Sequence, residues 1–121
     1  MFSVDVQSRT PVWEQIVTEV RKYIMLGILK PDDRLPSVRE LATETGVNPN
    51  TITNAYNDLV AKGIIVAAGG RGYFVSKDSH AALLSVAEQR LPEFEELART
   101  LVLAGIDKSR LVEMINKVEE E

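Results

Sequence analysis

The chain has 121 residues and a formal net charge of −4, the length of one domain with a short appendage, too short for a Rossmann domain joined to a substrate domain or for an eightfold β/α barrel. It has no cysteine and a single histidine, which excludes a disulfide framework, a thiolate nucleophile, a Cys-based metal site and a His–His pair. Apolar residues make up 45% and charged residues 26%, so the composition is that of a soluble domain able to bury a core without staples.

Residues 1–10 read as an extended arm. Pro11 suits the first turn of a helix with Thr10 as its cap. Val12, Ile16, Val20, Tyr23 and Ile24 fall on one stripe, so the spacing predicts an amphipathic helix over 11–26 that Gly27 ends. Residues 28–33, with Pro31-Asp32-Asp33, read as a turn. Ser37 followed by Glu40 has the spacing of a capping box and opens a second helix, with Val38, Leu41 and Ala42 inward and Gly46 ending it. Asn48 then caps a third helix with Pro49 in its first turn and Ile52, Ala55, Tyr56 and Leu59 inward, closed by Gly63. Two helices joined by a few residues that include a glycine make the connection of a helix-turn-helix.

Residues 64–67 and 73–75 are β-prone runs around a glycine-rich tip and predict a hairpin. Three helices and a hairpin are the order of a winged helix-turn-helix. Residues 78–121 are helical in composition. Pro92 interrupts or kinks them, Gly105 stops the stretch, and Asp107 caps a last helix lined by Leu111, Met114, Ile115 and Val118. The fold class is mainly α with a small β-hairpin: residues 1–77 form the winged domain and residues 78–121 a helical dimerisation region. The charge divides the same way. Residues 1–77 hold nine Lys and Arg against eight Asp and Glu; residues 78–121 hold five against ten.

The residues with the chemistry to meet DNA are gathered on this frame. A recognition helix turns short polar side chains outward, and here they are Asn50, Thr51, Thr53, Asn54 and Asn57; Asn pairs with adenine, and Thr bonds a phosphate or touches a thymine methyl. Backbone N–H groups at the start of that helix are candidates for a phosphate. Arg39, one turn into the second helix, is placed for the DNA backbone or a guanine edge, the alternative being an ion pair with Glu40. Gly69, Gly70, Arg71 and Gly72 form a tip whose backbone approaches phosphate closely, with Arg71 suited to the minor groove. Leu83, Leu84, Leu91, Phe94, Leu101, Leu103, Leu111 and Ile115 exceed what two or three helices bury alone, so a homodimer interface is expected there. His80 with Asp78 reads as a linker rather than a metal site.

From Gly27 to Val75 the chain resembles the DNA-binding domain of the GntR family of bacterial transcription regulators. The resemblance runs through Gly27-Ile28-Leu29-Lys30-Pro31, Leu35-Pro36-Ser37-Val38-Arg39-Glu40-Leu41-Ala42, Gly46-Val47-Asn48-Pro49-Asn50-Thr51, Ala55-Tyr56, Leu59, Gly63 and Gly70-Arg71-Gly72-Tyr73-Phe74-Val75. The Val47–Thr51 run and the short helical tail resemble the YtrA-like subfamily. The resemblance implies a dimeric repressor whose second and third helices and wing bind a two-fold, double-stranded operator. It places the family's DNA contacts on Arg39, Asn48, Asn50, Thr51 and Gly70, and Ser37 beside Arg39 is a further candidate contact. Many relatives carry Arg where this chain has Pro49 and Thr53, and closer ones often have Gln-Arg at Thr53-Asn54, so modest affinity per half-site is expected.

The 44 residues after Lys77 are too few to enclose a pyridoxal cofactor, and no cofactor is expected. A small effector between wing and tail stays open and unnamed. A winged helix that binds proteins rather than DNA is the alternative; the low basic balance of residues 1–77 favours it, and the outward Arg39, Asn50 and Arg71 oppose it. No Ser–His–Asp, phosphate-loop, metal or paired-carboxylate constellation supports an enzyme. The N-terminus lacks the charged head and apolar run of a leader, and no stretch nears about 18 apolar residues, so a cytoplasmic protein is expected.

Overall fold

The computed structural model describes residues 2–118. Its elements follow the order α1 (Val12–Met25), α2 (Val38–Thr45), α3 (Pro49–Ala61), β1 (Ile65–Ala67), β2 (Tyr73–Val75), α4 (Ser79–Glu88), α5 (Leu91–Leu103) and α6 (Lys108–Asn116), with one turn of 3-10 helix, Gly69–Arg71, between the strands. This is a mainly helical winged helix-turn-helix with a two-stranded antiparallel hairpin. The chain forms two compact units that divide between Leu84 and Ser85. The division falls beyond Lys77 because Ser79 and Leu83, at the start of α4, are buried in the first unit.

The core of the first unit is built from one stripe of each helix. Ile16, Val17, Val20 and Ile24 of α1, Leu41 of α2, and Ile52, Ala55, Tyr56 and Leu59 of α3 are buried, with Leu35, Ile64, Ile65 and Val75 from the connections and hairpin. Val38 and Ala42, expected inward with Leu41, are half-buried. Each fully buried Ile or Leu contributes roughly 1.5–3 kcal/mol by leaving water. α3 packs against α1, α2 and β1 and is the central element.

Local signals set the ends of the helices. Ser37 Oγ accepts from the Glu40 N–H at 3.0 Å, and the Ser37 N–H donates to Glu40 Oε1 at 3.3 Å, closing the capping box. Gly46 caps α2 with φ +74°, a left-handed conformation that glycine adopts without strain. Thr45 then shapes the turn: its hydroxyl donates to the Leu41 carbonyl at 2.7 Å and accepts from the Val47 N–H at 3.2 Å. Asn48 Oδ1 accepts from the Asn50 N–H at 2.8 Å and opens α3.

The N-terminal arm departs from the extended reading. It turns at Asp5, whose carbonyl accepts from the Ser8 N–H and whose Oδ1 accepts from the Gln7 N–H. The Gln15 amide clamps it, accepting from the Asp5 N–H and donating to the Asp5 and Thr10 carbonyls, each at 2.8–2.9 Å. Pro11, not Thr10, occupies the cap position, because its ψ of 145° is still extended; α1 starts one residue later. Phe2 is buried, its ring 5.2 Å from that of Tyr23.

The hairpin pairs Ile65 with Val75, Val66 with Phe74 and Ala67 with Tyr73. Asp32 and Asp33, read as the end of a turn, and Arg34 and Leu35 after them also extend along β2. The Asp32 and Leu35 N–H groups donate to the Val75 and Tyr73 carbonyls, the Val75 N–H donates to the Asp33 carbonyl, and Arg34 bridges to Phe74. Tyr56 joins the same region to α3. Its hydroxyl donates to the Pro36 carbonyl at 2.7 Å, and its ring meets Tyr73 edge-on at 4.8 Å.

In the second unit Pro92 lies in the first turn of α5, where its missing N–H is no loss, so the stretch is divided between α4 and α5 rather than kinked. Gly105 follows α5, and the Ile106 N–H donates to the Leu101 carbonyl. Asp107 holds the cap position of α6 without a side-chain hydrogen bond. None of residues 85–118 is buried.

Burial, above all, and the neighbouring Tyr73 push the Tyr56 phenol well above its ordinary value of 10.0. Its stabilising contribution is therefore complete below about pH 10, where the unfolded chain ionises, and falls away as the pH rises. Tyr56→Phe, which orphans the Pro36 carbonyl, is expected to cost about 1 kcal/mol at neutral pH and to flatten the alkaline fall in stability, measured by urea unfolding across that range.

Candidate nucleic-acid interface

Helical periodicity makes the outer face of α3 the complement of its buried one. With positions 52, 55, 56 and 59 inward, Asn50, Thr53, Asn54 and Asn57 form one stripe outward. The three asparagines are exposed, and Thr53 and Thr51 are half-buried. Asn48 is exposed as well, with its Oδ1 spent on the cap. The first-turn backbone donors are not available to a phosphate as the sequence suggested. Pro49 has no N–H, the Asn50 N–H is held by Asn48 Oδ1, and the Thr51 N–H donates to the Asn48 carbonyl at 3.0 Å.

α2 supplies the cation. Arg39 is exposed, and among the described residues no hydrogen bond or ion pair engages it. The alternative pairing with Glu40 is absent because Glu40 is already committed. It accepts from Ser37 and lies 3.7 Å from the Arg34 guanidinium. The Ser37 hydrogen bonds, side-chain first and then backbone, hold its carboxyl below the ordinary carboxylate value, with Arg34 adding to them. Ser37 itself is thereby occupied by the cap. Arg39, Ala42, Thr43, Val47, Asn48 and Pro49 line one open groove between α2 and the start of α3, so Arg39 and the cap of the reading helix share a surface.

The wing tip is a turn of 3-10 helix closed by the Ala68 N–H donating to the Gly72 carbonyl at 2.8 Å. Gly70 and Arg71 are exposed at its end. Gly72 has φ +101°, and a Cβ there would lie 3.3 Å from Arg34 Nε, so this glycine is required by the fold. Gly70 has neither constraint; its surroundings are open. Arg34 is the contact candidate that sequence reasoning missed. It lies beside Gly72 and close to Glu40, between wing and α2, with half its side chain exposed. Its only sequence signal is an arginine directly before Leu35-Pro36-Ser37.

The apolar positions expected to join two copies are open to solvent. Leu84, Leu91, Phe94 and Ile115 are each more than half exposed, and Leu101 and Leu111 are half-buried. Phe94, Leu111 and Ile115 border two apolar grooves along α5 and α6. His80 and Asp78 are exposed, and among the described residues no group of three or more His, Asp or Glu is gathered to hold a metal. Among the described residues no helix is long and apolar enough to cross a membrane.

A capped helix-turn-helix with an uncharged polar outer face, a free arginine beside it and a glycine-tipped wing has the architecture of a DNA-binding winged helix. Residues 13–75 match the family of bacterial regulatory proteins called the gntR family. The chain is 36% identical over 125 aligned residues to the HTH-type transcriptional repressor YtrA of Bacillus subtilis (strain 168), covering 100% of this chain and 94% of that one. Among solved structures it is similar to YtrA from Sulfolobus acidocaldarius, a GntR-family transcription factor, with TM-score 0.64 and 35% identity over 96% of this chain and 94% of the other. It is also similar to the AraR DNA-binding domain in complex with operator ORX1, with TM-score 0.58 and 31% identity over 62% of this chain and 96% of that one. The chain belongs to the GntR family: it is a transcription regulator with a DNA-binding winged helix, not an enzyme.

The two wing glycines are expected to separate folding from binding. Gly72→Ala costs about 1–3 kcal/mol of stability, because a side chain is strained at that φ and ψ and meets Arg34. Gly70→Ala leaves the urea midpoint unchanged and weakens DNA binding in a gel shift.

Proposed function

We propose that the protein is a cytoplasmic repressor that binds a two-fold operator as a homodimer. The observation that carries this reading is the free Arg39 beside the uncharged stripe of α3, with Ser37 and Asn48 holding the two helix starts. Asn50, Thr51, Thr53 and Asn54 read base edges or reach the backbone, Arg39 reaches a guanine edge or a phosphate, and Gly70 and Arg71 close on the backbone or minor groove. The operator ORX1 of the similar AraR domain supports an operator as the ligand, and the repressor YtrA of Bacillus subtilis supports repression as the outcome.

The second unit supplies the dimer in this reading. No residue of 85–118 is fully buried, and within this unit the exposed Leu91, Phe94 and Ile115, continued by the half-buried Leu101 and Leu111, offer an apolar face to a second copy; the exposed Leu84 at the end of the first unit is a further apolar position for the same role. A two-fold dimer doubles a weak half-site contact and requires an inverted repeat.

Arg39→Ala and Asn50→Ala are each expected to lose about 1–3 kcal/mol of operator affinity, raising the protein concentration for half-maximal gel shift roughly 5- to 150-fold, with the sedimenting mass unchanged. Unchanged affinity for both would overturn the reading face. A chain ending at Leu84 is expected to keep its circular dichroism signature of a folded winged helix and to sediment as a monomer; a dimer would refute the role of the second unit. A footprint on DNA upstream of its own gene is expected to protect an inverted repeat, with a salt slope shallower than that of a strongly basic binder.

A further inference from the structure

We infer that the outer stripe of α3 selects A·T base pairs, adenine through Asn50 and Asn54 and a thymine methyl through Thr53, and that direct readout of guanine in the half-site falls to Arg39. The inference deepens the operator-binding reading and rests on it. Guanine offers two acceptors in the major groove, O6 and N7, which a two-donor side chain such as arginine matches; adenine offers the N6 donor beside the N7 acceptor, which an amide matches with its own acceptor and donor. α3 contains no Lys or Arg over Pro49–Ala61. The cation just after it, Lys62, is paired with Asp58 at 3.1 Å. The helix therefore has nothing to present to guanine in two-point fashion.

What it presents is amide and methyl. The side chains of Asn50, Asn54 and Asn57 are exposed, and no hydrogen bond within the described residues engages their amides. Their donor–acceptor pairs are therefore available without first breaking an internal bond. Thr53 sits between Asn50 and Asn57 on the stripe and is half-buried, which suits a short apolar contact better than a long reach. Asn48 is held back by its capping bond. On α2, Arg39 is the unpaired arginine that lines the groove leading to Pro49. A half-site built for this face has A·T pairs where α3 enters the groove and a guanine toward α2.

The test uses the full chain and duplexes selected from a random pool, with base analogues placed one at a time across the selected half-site. Replacing the contacted adenine by 7-deazaadenine, which keeps base pairing and removes N7, is expected to weaken binding roughly five- to hundredfold. Asn54→Ala or Asn50→Ala should abolish that difference at its own adenine. Replacing the contacted thymine by uracil should weaken binding about fourfold, the worth of one methyl group, and Thr53→Ala should remove that sensitivity. Asn54→Arg should move the selected base at its position to guanine. The inference is overturned if the selected half-sites hold G·C pairs throughout the segment facing α3, or if the analogue effects persist in the alanine variants. A chain that selects no duplex at all overturns the operator-binding reading instead.

Discussion

The burial of four side chains on α3 is the constraint from which the rest of the molecule follows. Ile52, Ala55, Tyr56 and Leu59 are wholly withdrawn from water. At 3.6 residues per turn, that burial leaves only one orientation for Asn50, Thr53, Asn54 and Asn57. Tyr56 does more than fill space. Its hydroxyl holds the Pro36 carbonyl just before α2, and its ring rests against Tyr73 of β2. One residue thus ties α3 to the start of α2 and to the wing, so the three parts proposed to meet DNA share one anchor.

Electrostatics in the first unit works by commitment of specific partners rather than by bulk charge. Glu40 is drawn to Ser37 as a capping group and to Arg34 by charge, which leaves Arg39 without an acid. A near-neutral domain can then show a free guanidinium on α2 beside α3. The exposed pairs elsewhere, such as Lys62 with Asp58, are worth at most a few tenths of a kcal/mol each. They occupy cations that would otherwise add unspecific attraction. In α5 and just before it the arginines are tied up locally, Arg90 with Glu93 and Arg99 with Glu95 and Glu96.

The second unit shows the opposite economy. Its helices are well ended, by Pro92 in the first turn of α5 and by backbone hydrogen bonds around Gly105, but they enclose no core. Helices this short are marginal in isolation, and tertiary burial supplies most of their stability in proteins. Most apolar side chains of α5 and α6 are exposed and the best covered, such as Leu101 and Leu111, are only half-buried, which is the physical ground for proposing that a second copy covers them.

The helix starts and stops, the hairpin and the inward stripe of α3 were legible in the sequence because their causes are local: Ser37 with Glu40, Asn48 before Pro49, Gly46 and Gly63, and the 3.6-residue spacing. The turned arm was not legible, because it depends on Gln15 reaching back to Asp5 and Thr10 across a proline. The strand-like run of residues 32–35 was not, because its partners lie some forty residues away on β2. Arg34 beside Gly72, the capture of Glu40, and the spent donors at the start of α3 were hidden for the same reason. The sequence by itself determined which elements form and which residues of α3 turn outward, since neighbours within a turn or two decide both. Only the tertiary structure decided which arginine stays free, which wing glycine the fold requires and where the first unit ends, because each of these depends on which groups distant in the chain are brought within hydrogen-bonding or packing distance.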